Sequence, residues 1–137
     1  MSDCIFCKVA AKQLPSHILY EDDSCLALLD AFPSSLGHAL VIPKKHHENI
    51  FDIPAGTAAD IQRVVVKTAK ALQAALGTSD INILQNNGKA AGQTVFHYHV
   101  HLIPRSDSDN VSVRWQVANP SPEESAACAE KIRVCIQ

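Results

Sequence analysis

The sequence predicts an α+β fold: a largely antiparallel sheet of five strands, one long helix, and short helices near the two ends. Three observations carry this. Five short runs of strand character are separated by clusters of turn-forming residues. One stretch, Asp52 to Leu76, repeats apolar residues at helical spacing. Strands and helices do not alternate in the regular β-α-β order that a parallel sheet requires.

Each element has its own signal. Cys4 to Lys12 reads as a short helix before the Leu14-Pro15 break. His17 to Tyr20 is a strand, followed by a turn over Glu21-Asp22-Asp23-Ser24. Cys25 to Asp30 and His38 to Ile42 are two more strands, joined by the Pro33–Gly37 loop, and Pro43 closes the third. In the long helix Ile61, Val64, Val65, Thr68, Leu72 and Leu76 share one face, and Gly77 is the stop signal. Asp80 to Asn86 is the fourth strand. Asn87-Gly88 has hairpin chemistry, but the gap to His97 is too long for a two-residue loop, so 87–92 reads as a functional loop. Near the end, Ser121-Pro122-Glu123-Glu124 combines an N-cap, a proline at the first helical position and a capping-box acid. Ala129, Ile132, Cys135 and Ile136 would form that helix's buried stripe.

Composition narrows the function. The chain has 137 residues, enough for one domain with a real core, and no internal repeat or second domain is visible. A formal net charge of −2 argues against a nucleic-acid footprint, which needs a basic excess. No apolar run approaches the ~18 residues of a membrane span, and Met1-Ser2-Asp3-Cys4 lacks the basic and apolar regions of a secretory leader. Five cysteines make an odd number, with Cys25, Cys128 and Cys135 in apolar surroundings that suit core thiols. The expectation is a cytoplasmic protein that binds neither nucleic acid nor membrane.

The chemistry concentrates in the fifth strand, where His97, His99 and His101 are interleaved with Tyr98, Val100 and Leu102. Alternate side chains of a strand share a face, so the three imidazoles would line up at roughly 7 Å intervals while the other three residues are buried. Three unrelated histidines, a metal site, and phosphoryl or acyl transfer by a nucleophilic imidazole are the competing readings. The residues just upstream favour the last. Gly92-Gln93-Thr94-Val95 offers backbone N–H groups, an amide and a hydroxyl that suit an oxyanion.

The run His97-Tyr98-His99-Val100-His101-Leu102-Ile103 after Gly92-Gln93-Thr94 resembles the signature of the histidine-triad (HIT) nucleotide hydrolases. It is most similar to the branch of nucleoside phosphoramidases and bacterial-type relatives. Other marks are Cys4-Ile5-Phe6-Cys7-Lys8, Tyr20-Glu21-Asp22, Leu28-Leu29-Asp30, Gly37-His38 through Pro43-Lys44, and Asn86-Asn87-Gly88. The resemblance covers Cys4 to about Arg105. It implies a single HIT domain over 1–137, with a core of about 4–105 and a C-terminal extension of 106–137. It also implies one five-stranded antiparallel sheet and a homodimer with paired sheets.

The resemblance further implies roles at matching positions. His99 would attack the α-phosphorus of a purine nucleotide and form a covalent nucleotidyl-histidine that water hydrolyses. His101 would donate to a phosphate oxygen, and Gln93 and Thr94 would meet the scissile bridging atom and the phosphate or leaving group. Thr94 stands where many relatives carry Ser, which keeps the hydroxyl. His38 would sit behind His97 and orient the triad; a satisfied core histidine is the plainer reading. Asp30 would accept the ribose hydroxyls, its plainer reading being a turn residue. Ile5, Phe6, Val9 and Leu28 would line the base pocket, made roomier by Ala31, and Asn86 would lie near the α-phosphate and ribose.

Cys4-x-x-Cys7 alone is a weak signal, open to a redox pair as well as a metal. In bacterial-type relatives such a pair joins two histidines around a structural zinc, here His46 and His97, although spacing does not separate His46 from His47. No cofactor is implied for catalysis. The functional expectation is hydrolysis of nucleoside 5′-phosphoramidates, of the adenosine 5′-monophosphoramidase type. The alternatives are dinucleoside polyphosphate or adenylyl sulfate hydrolysis, or a zinc-stabilised nucleotide-binding module. His101, where a transferase of the superfamily would carry Gln, argues for hydrolysis. In related dimers a C-terminal segment reaches the partner's active site, which makes Trp115 a candidate for leaving-group selectivity.

Overall fold

The structure is a computed structural model that describes residues 3–137. Five strands, β1 (Ile18–Glu21), β2 (Cys25–Leu29), β3 (Ala39–Pro43), β4 (Ile81–Leu84) and β5 (Val100–Pro104), form one sheet in the order β1-β2-β3-β5-β4. Every neighbouring pair is antiparallel. The helices are α1 (Ile5–Ala10), α2 (Ala55–Leu76) and α3 (Pro122–Cys135). The predicted α+β class and five-stranded antiparallel sheet are therefore found.

The sheet is covered on both faces, which explains why β2 and β3 read as nearly continuous apolar runs. On one face Ala27, Ala39, Val41, Val100 and Leu102 pack under Ile61, Val64, Val65 and Leu72 of α2. On the other, Leu26, Leu28, Leu40 and Ile42 pack under Phe6 and Val9 of α1. Both helices' apolar stripes thus lose water contact against opposite sides of the same strands, the main favourable term in holding the layers together. Pro54 caps α2 from an extended conformation, so the helix begins three residues later than Asp52. Gly77 ends it in the left-handed conformation, as expected of a C-terminal glycine. Leu76, predicted on the buried face, is 45% exposed.

Gly37 closes the β2–β3 loop with φ of +89°, and a Cβ there would run into the Leu76 side chain. Gly37→Ala is expected to destabilise the fold by about 1–2 kcal/mol through backbone strain. A lowered urea midpoint measures this; an unchanged midpoint contradicts it.

Two expectations fail in instructive ways. β5 begins at Val100, not at His97. The ladder with β3 stops at Val41↔Val100, because further along β3 Pro43 has no N–H to offer. The Tyr98 N–H instead donates to the His47 carbonyl at 2.6 Å. At the other end of the chain, Ser121 caps α3 by accepting the Glu124 N–H, as predicted. Yet no described residue of α3 is buried: Ile132, Cys128 and Cys135 are exposed, and so is Ile136 just past its end, against the expectation of a buried stripe and core thiols. Cys25 is buried as expected.

Candidate active site

The three histidines share one side of the chain even though the ladder ends among them. Phe6 packs edge-on against both the His97 and His99 rings, at 5.8 and 5.1 Å between centroids, and His99 lies 4.9 Å from His101. Tyr98, Val100 and Leu102 point the other way, into the α2 core. The alternation read from the sequence survives; the hydrogen-bonded strand is simply shorter.

Hydrogen bonds fix the tautomer of each ring. A carbonyl can only accept, so His97 donates its Nε2–H to Pro43 O at 2.8 Å and leaves a lone pair on Nδ1. That lone pair faces Cys4 Sγ at 3.4 Å and Cys7 Sγ at 3.6 Å, while His46 Nδ1 lies 3.4 Å from Cys7 Sγ. One donor atom from each of Cys4, Cys7, His46 and His97 falls within 4.8 Å of all the others. His47 is not in this group; its carbonyl holds Tyr98. Zinc bonds of ~2.3 Å to sulfur and ~2.0–2.1 Å to nitrogen at tetrahedral angles give S···N edges of about 3.5 Å, so the set fits zinc in donor type and spacing. Burial, with the Cys4 sulfur alongside, pushes the Cys7 thiol up, a tendency that a cation would reverse.

His99 donates Nδ1–H to its neighbour His97 O at 2.7 Å, which leaves Nε2 unprotonated. Burial, opposed by that hydrogen bond and by Asp30, holds its pKa below the ordinary histidine value. The ring is therefore neutral at pH 7, with a free lone pair on the nitrogen away from the backbone.

His38 departs from expectation. It does not sit behind His97 but beside His101, with Nε2 2.9 Å from His101 Nδ1 and ring centroids 5.1 Å apart. The β3–β5 register explains this, since Leu40 is paired with His101 and His38 lies just before that step. Asp30 Oδ2 stands 3.4 Å from His38 Nε2 and 4.0 Å from His101 Nδ1, while Oδ1 accepts the Phe32 N–H. The turn role and a place among the histidines are both real for Asp30. Its contact with His38 had no signal in the sequence.

The upstream loop is held from within. Gly92 ends a 3-10 turn (Lys89–Ala91) with φ of +95° and packs near Asn86. Gln93 is buried, and its amide is committed: Nε2 donates to the Glu48 and Val95 carbonyls, and Oε1 accepts the Gly88 N–H. The side chain expected to meet the scissile atom thus has a loop-shaping role of its own. Thr94 is exposed, and Val95 packs against the α1-side core. Asn87, in the stretch the sequence marks as a functional loop, accepts the Ile50 N–H and ties this loop to residues 48–51. Of the base-pocket candidates, Phe6, Val9 and Leu28 are buried together in the α1-side core, and Ile5 is exposed beside them.

Burial lowers the pKa of both His97 and His101 to about 4 from an ordinary 6.5. In the unfolded chain these rings titrate near 6.5, so the folded state binds fewer protons between the two values. Their contribution to stability is complete above pH 6.5 and is lost as pH falls towards 4. Metal-free protein unfolded near pH 5 should take up about two protons at His97 and His101 alone, with a thermal midpoint that drops across this window. Calorimetry in buffers of different ionisation enthalpy measures this; a flat midpoint from pH 6.5 to 4.5 contradicts it.

Residues 11–108 match the HIT domain family. The chain is 42% identical over 130 residues to the adenosine 5′-monophosphoramidase hnt1 of Schizosaccharomyces pombe, covering 94% of this chain and 95% of that protein. It is 44% identical over 108 residues to the adenylylsulfatase HINT3 of Arabidopsis thaliana, covering 79% of this chain but only 55% of the plant protein. A zinc-bound histidine triad family protein from Mycobacterium smegmatis superposes with a TM-score of 0.77 at 38% identity, covering 97% of this chain and 98% of that one.

Proposed function

The chain belongs to the HIT domain family, and from that premise we propose that it hydrolyses purine nucleoside 5′-phosphoramidates and releases the nucleoside monophosphate. The observation that carries the reading is His99: a buried, neutral imidazole whose Nδ1–H is spent on a backbone carbonyl, leaving Nε2 as a nucleophile. The name of the fission-yeast relative supports the substrate class.

In the proposed reaction the Nε2 lone pair of His99 forms a bond to the α-phosphorus as the P–N bond to the leaving amine breaks. The amine departs with a proton from solvent. Water then breaks the His99–phosphorus bond, freeing the nucleotide and restoring the neutral ring. His101 donates to a phosphoryl oxygen where charge builds in the transition state. Thr94 supplies its hydroxyl and the 92–95 backbone the remaining polar contacts, on a loop that Gln93 holds in shape. Asp30 takes the ribose hydroxyls, with Asn86 nearby. Ile5 offers the surface for the base, backed by Phe6, Val9 and Leu28.

Cys4, Cys7, His46 and His97 would hold a structural zinc. Bound there, the ion supplies bracing and no chemistry, since His97 would ligate it through Nδ1 while Nε2 stays on Pro43. The exposed stripe of α3 and the open edge of β4 fit a homodimer, and the free cysteines suit a cytosolic setting.

The name of the plant relative favours a second reading, in which the same machinery cleaves adenylyl sulfate. Purified protein should be offered adenosine 5′-phosphoramidate, adenylyl sulfate and diadenosine tetraphosphate side by side. Under the proposal the phosphoramidate has the highest kcat/KM. Preference for adenylyl sulfate establishes the second reading, and binding without turnover of any of the three refutes both.

A further inference from the structure

Asp30, His38 and His101 bring three metal-type donor atoms within 4.8 Å of one another. A metal there conflicts with the hydrogen bonding. The Ser34 backbone N–H donates to His38 Nδ1 at 3.0 Å. A neutral His38 that accepts at Nδ1 carries its proton on Nε2 and has no lone pair there for a cation. That Nε2–H is instead directed at His101 Nδ1, 2.9 Å away, with Asp30 Oδ2 at 3.4 Å as a secondary acceptor. His101, accepting at Nδ1, must then hold its own proton on Nε2.

The chain of donors starts from a backbone amide, which cannot change its proton, and the loop bearing that amide is itself anchored. The His38 N–H donates to Ser35 O, the Asp30 N–H donates to His38 O, and Ser35 Oγ donates to Pro104 O at 2.7 Å. We infer that the Ser34 backbone N–H, acting through His38, fixes His101 as a neutral imidazole protonated on Nε2, so that His101 serves as a permanent hydrogen-bond donor to the phosphoryl oxygen and not as an acid. This deepens the proposed function and rests on it for the identity of the acceptor.

His38 also stands between His101 and a charge. The groups facing His101 are His38, His99 and Asp30. Asp30 lies only 4.0 Å from His101 Nδ1, and with nothing between them it would draw a proton to that nitrogen. With His38 in place, its Nε2–H occupies the Nδ1 lone pair and the proton stays on the substrate side. Burial, with His99 and His38 alongside, holds the His101 pKa at about 4, in keeping with a ring that stays neutral through turnover. A neutral donor locked in one tautomer needs no reorganisation as charge builds on the phosphoryl oxygen.

The test is the protonation state of His101 in full-length, zinc-replete protein, read by long-range 1H–15N correlation NMR on histidine-labelled samples. Wild type should show a single neutral ring with its proton on Nε2 from pH 5.5 to 8. His38→Leu should move a proton onto Nδ1, raise the titration point into the observable range, and lower kcat about tenfold or more with KM within about twofold. His38→Gln, whose amide can still donate to His101 Nδ1, should restore the tautomer and much of the rate. Ser34→Pro removes the amide proton and should weaken the lock; if it does not fold, the His38 pair decides. An Nδ1–H or doubly protonated His101 in wild type overturns the inference, as does His38→Leu with an unaltered tautomer. The spectra need no substrate, so the tautomer can stand where phosphoramidate turnover is absent, and turnover can stand where the tautomer is wrong.

Discussion

Replacing His99 by alanine is expected to abolish phosphoramidate hydrolysis, by about four orders of magnitude or more in kcat. The size follows from the role. Without Nε2 no nucleotidyl-histidine can form, and water would have to attack the α-phosphorus directly. The remaining polar groups would still bind the nucleotide, so Kd for the product monophosphate should change far less than kcat. The fold should survive, because among the described residues the ring's one hydrogen bond is to the carbonyl two residues before it. The cavity left beside Phe6 should nonetheless cost stability, on the order of 1–3 kcal/mol. Steady-state kinetics with a circular-dichroism melt separates the two effects. A variant that keeps a tenth of wild-type kcat contradicts the nucleophile assignment.

The second large effect concerns the Cys4–Cys7–His46–His97 cluster. Purified protein should carry about one zinc per chain, and Cys4→Ser or Cys7→Ser should lose it. Structural zinc contributes its binding free energy directly to folding, so the expected loss is several kcal/mol and a thermal midpoint lower by ten degrees or more. His46→Ala should behave like the cysteine variants, whereas His47→Ala should keep the metal, since only His46 joins the cluster. Activity should fall less steeply than stability, because His97 Nε2 stays on Pro43 O and His99 keeps its carbonyl acceptor. Elemental analysis beside thermal denaturation reads both quantities. Full metal retention in the Cys7→Ser variant, or a melting point untouched by chelation, contradicts the assignment.

Much of this geometry was legible in the sequence because it depends on local period. The alternation of His97, His99 and His101 with Tyr98, Val100 and Leu102 dictates which side each residue takes, whether or not the backbone is in a ladder. The helical spacing of Ile61, Val64, Val65, Thr68 and Leu72 likewise marks the stripe that is buried. What sequence could not supply is register and partner. His38 lies beside His101 and not behind His97 because its neighbour is set by the pairing of β3 with β5. The choice between His46 and His47 turns on the path of the chain after β3, where adjacent side chains point in different directions. The stripe of α3 is exposed: periodicity says only which residues share a face, not that the same chain covers them. For Gln93 the resemblance implies contact with substrate, and nothing in the sequence signals that its amide also closes the loop through three hydrogen bonds.

Trapping the intermediate tests directly whether His99 is the nucleophile. Protein mixed with adenosine 5′-phosphoramidate and quenched within one turnover should gain the mass of a single adenylyl group. Proteolysis under mildly basic conditions, where phosphorus–imidazole bonds survive, should place that mass on His99. The expected adduct forms and decays at rates consistent with kcat and is missing from His99→Ala. An adduct on another residue, or turnover with no adduct at any quench time, would contradict the nucleophile assignment.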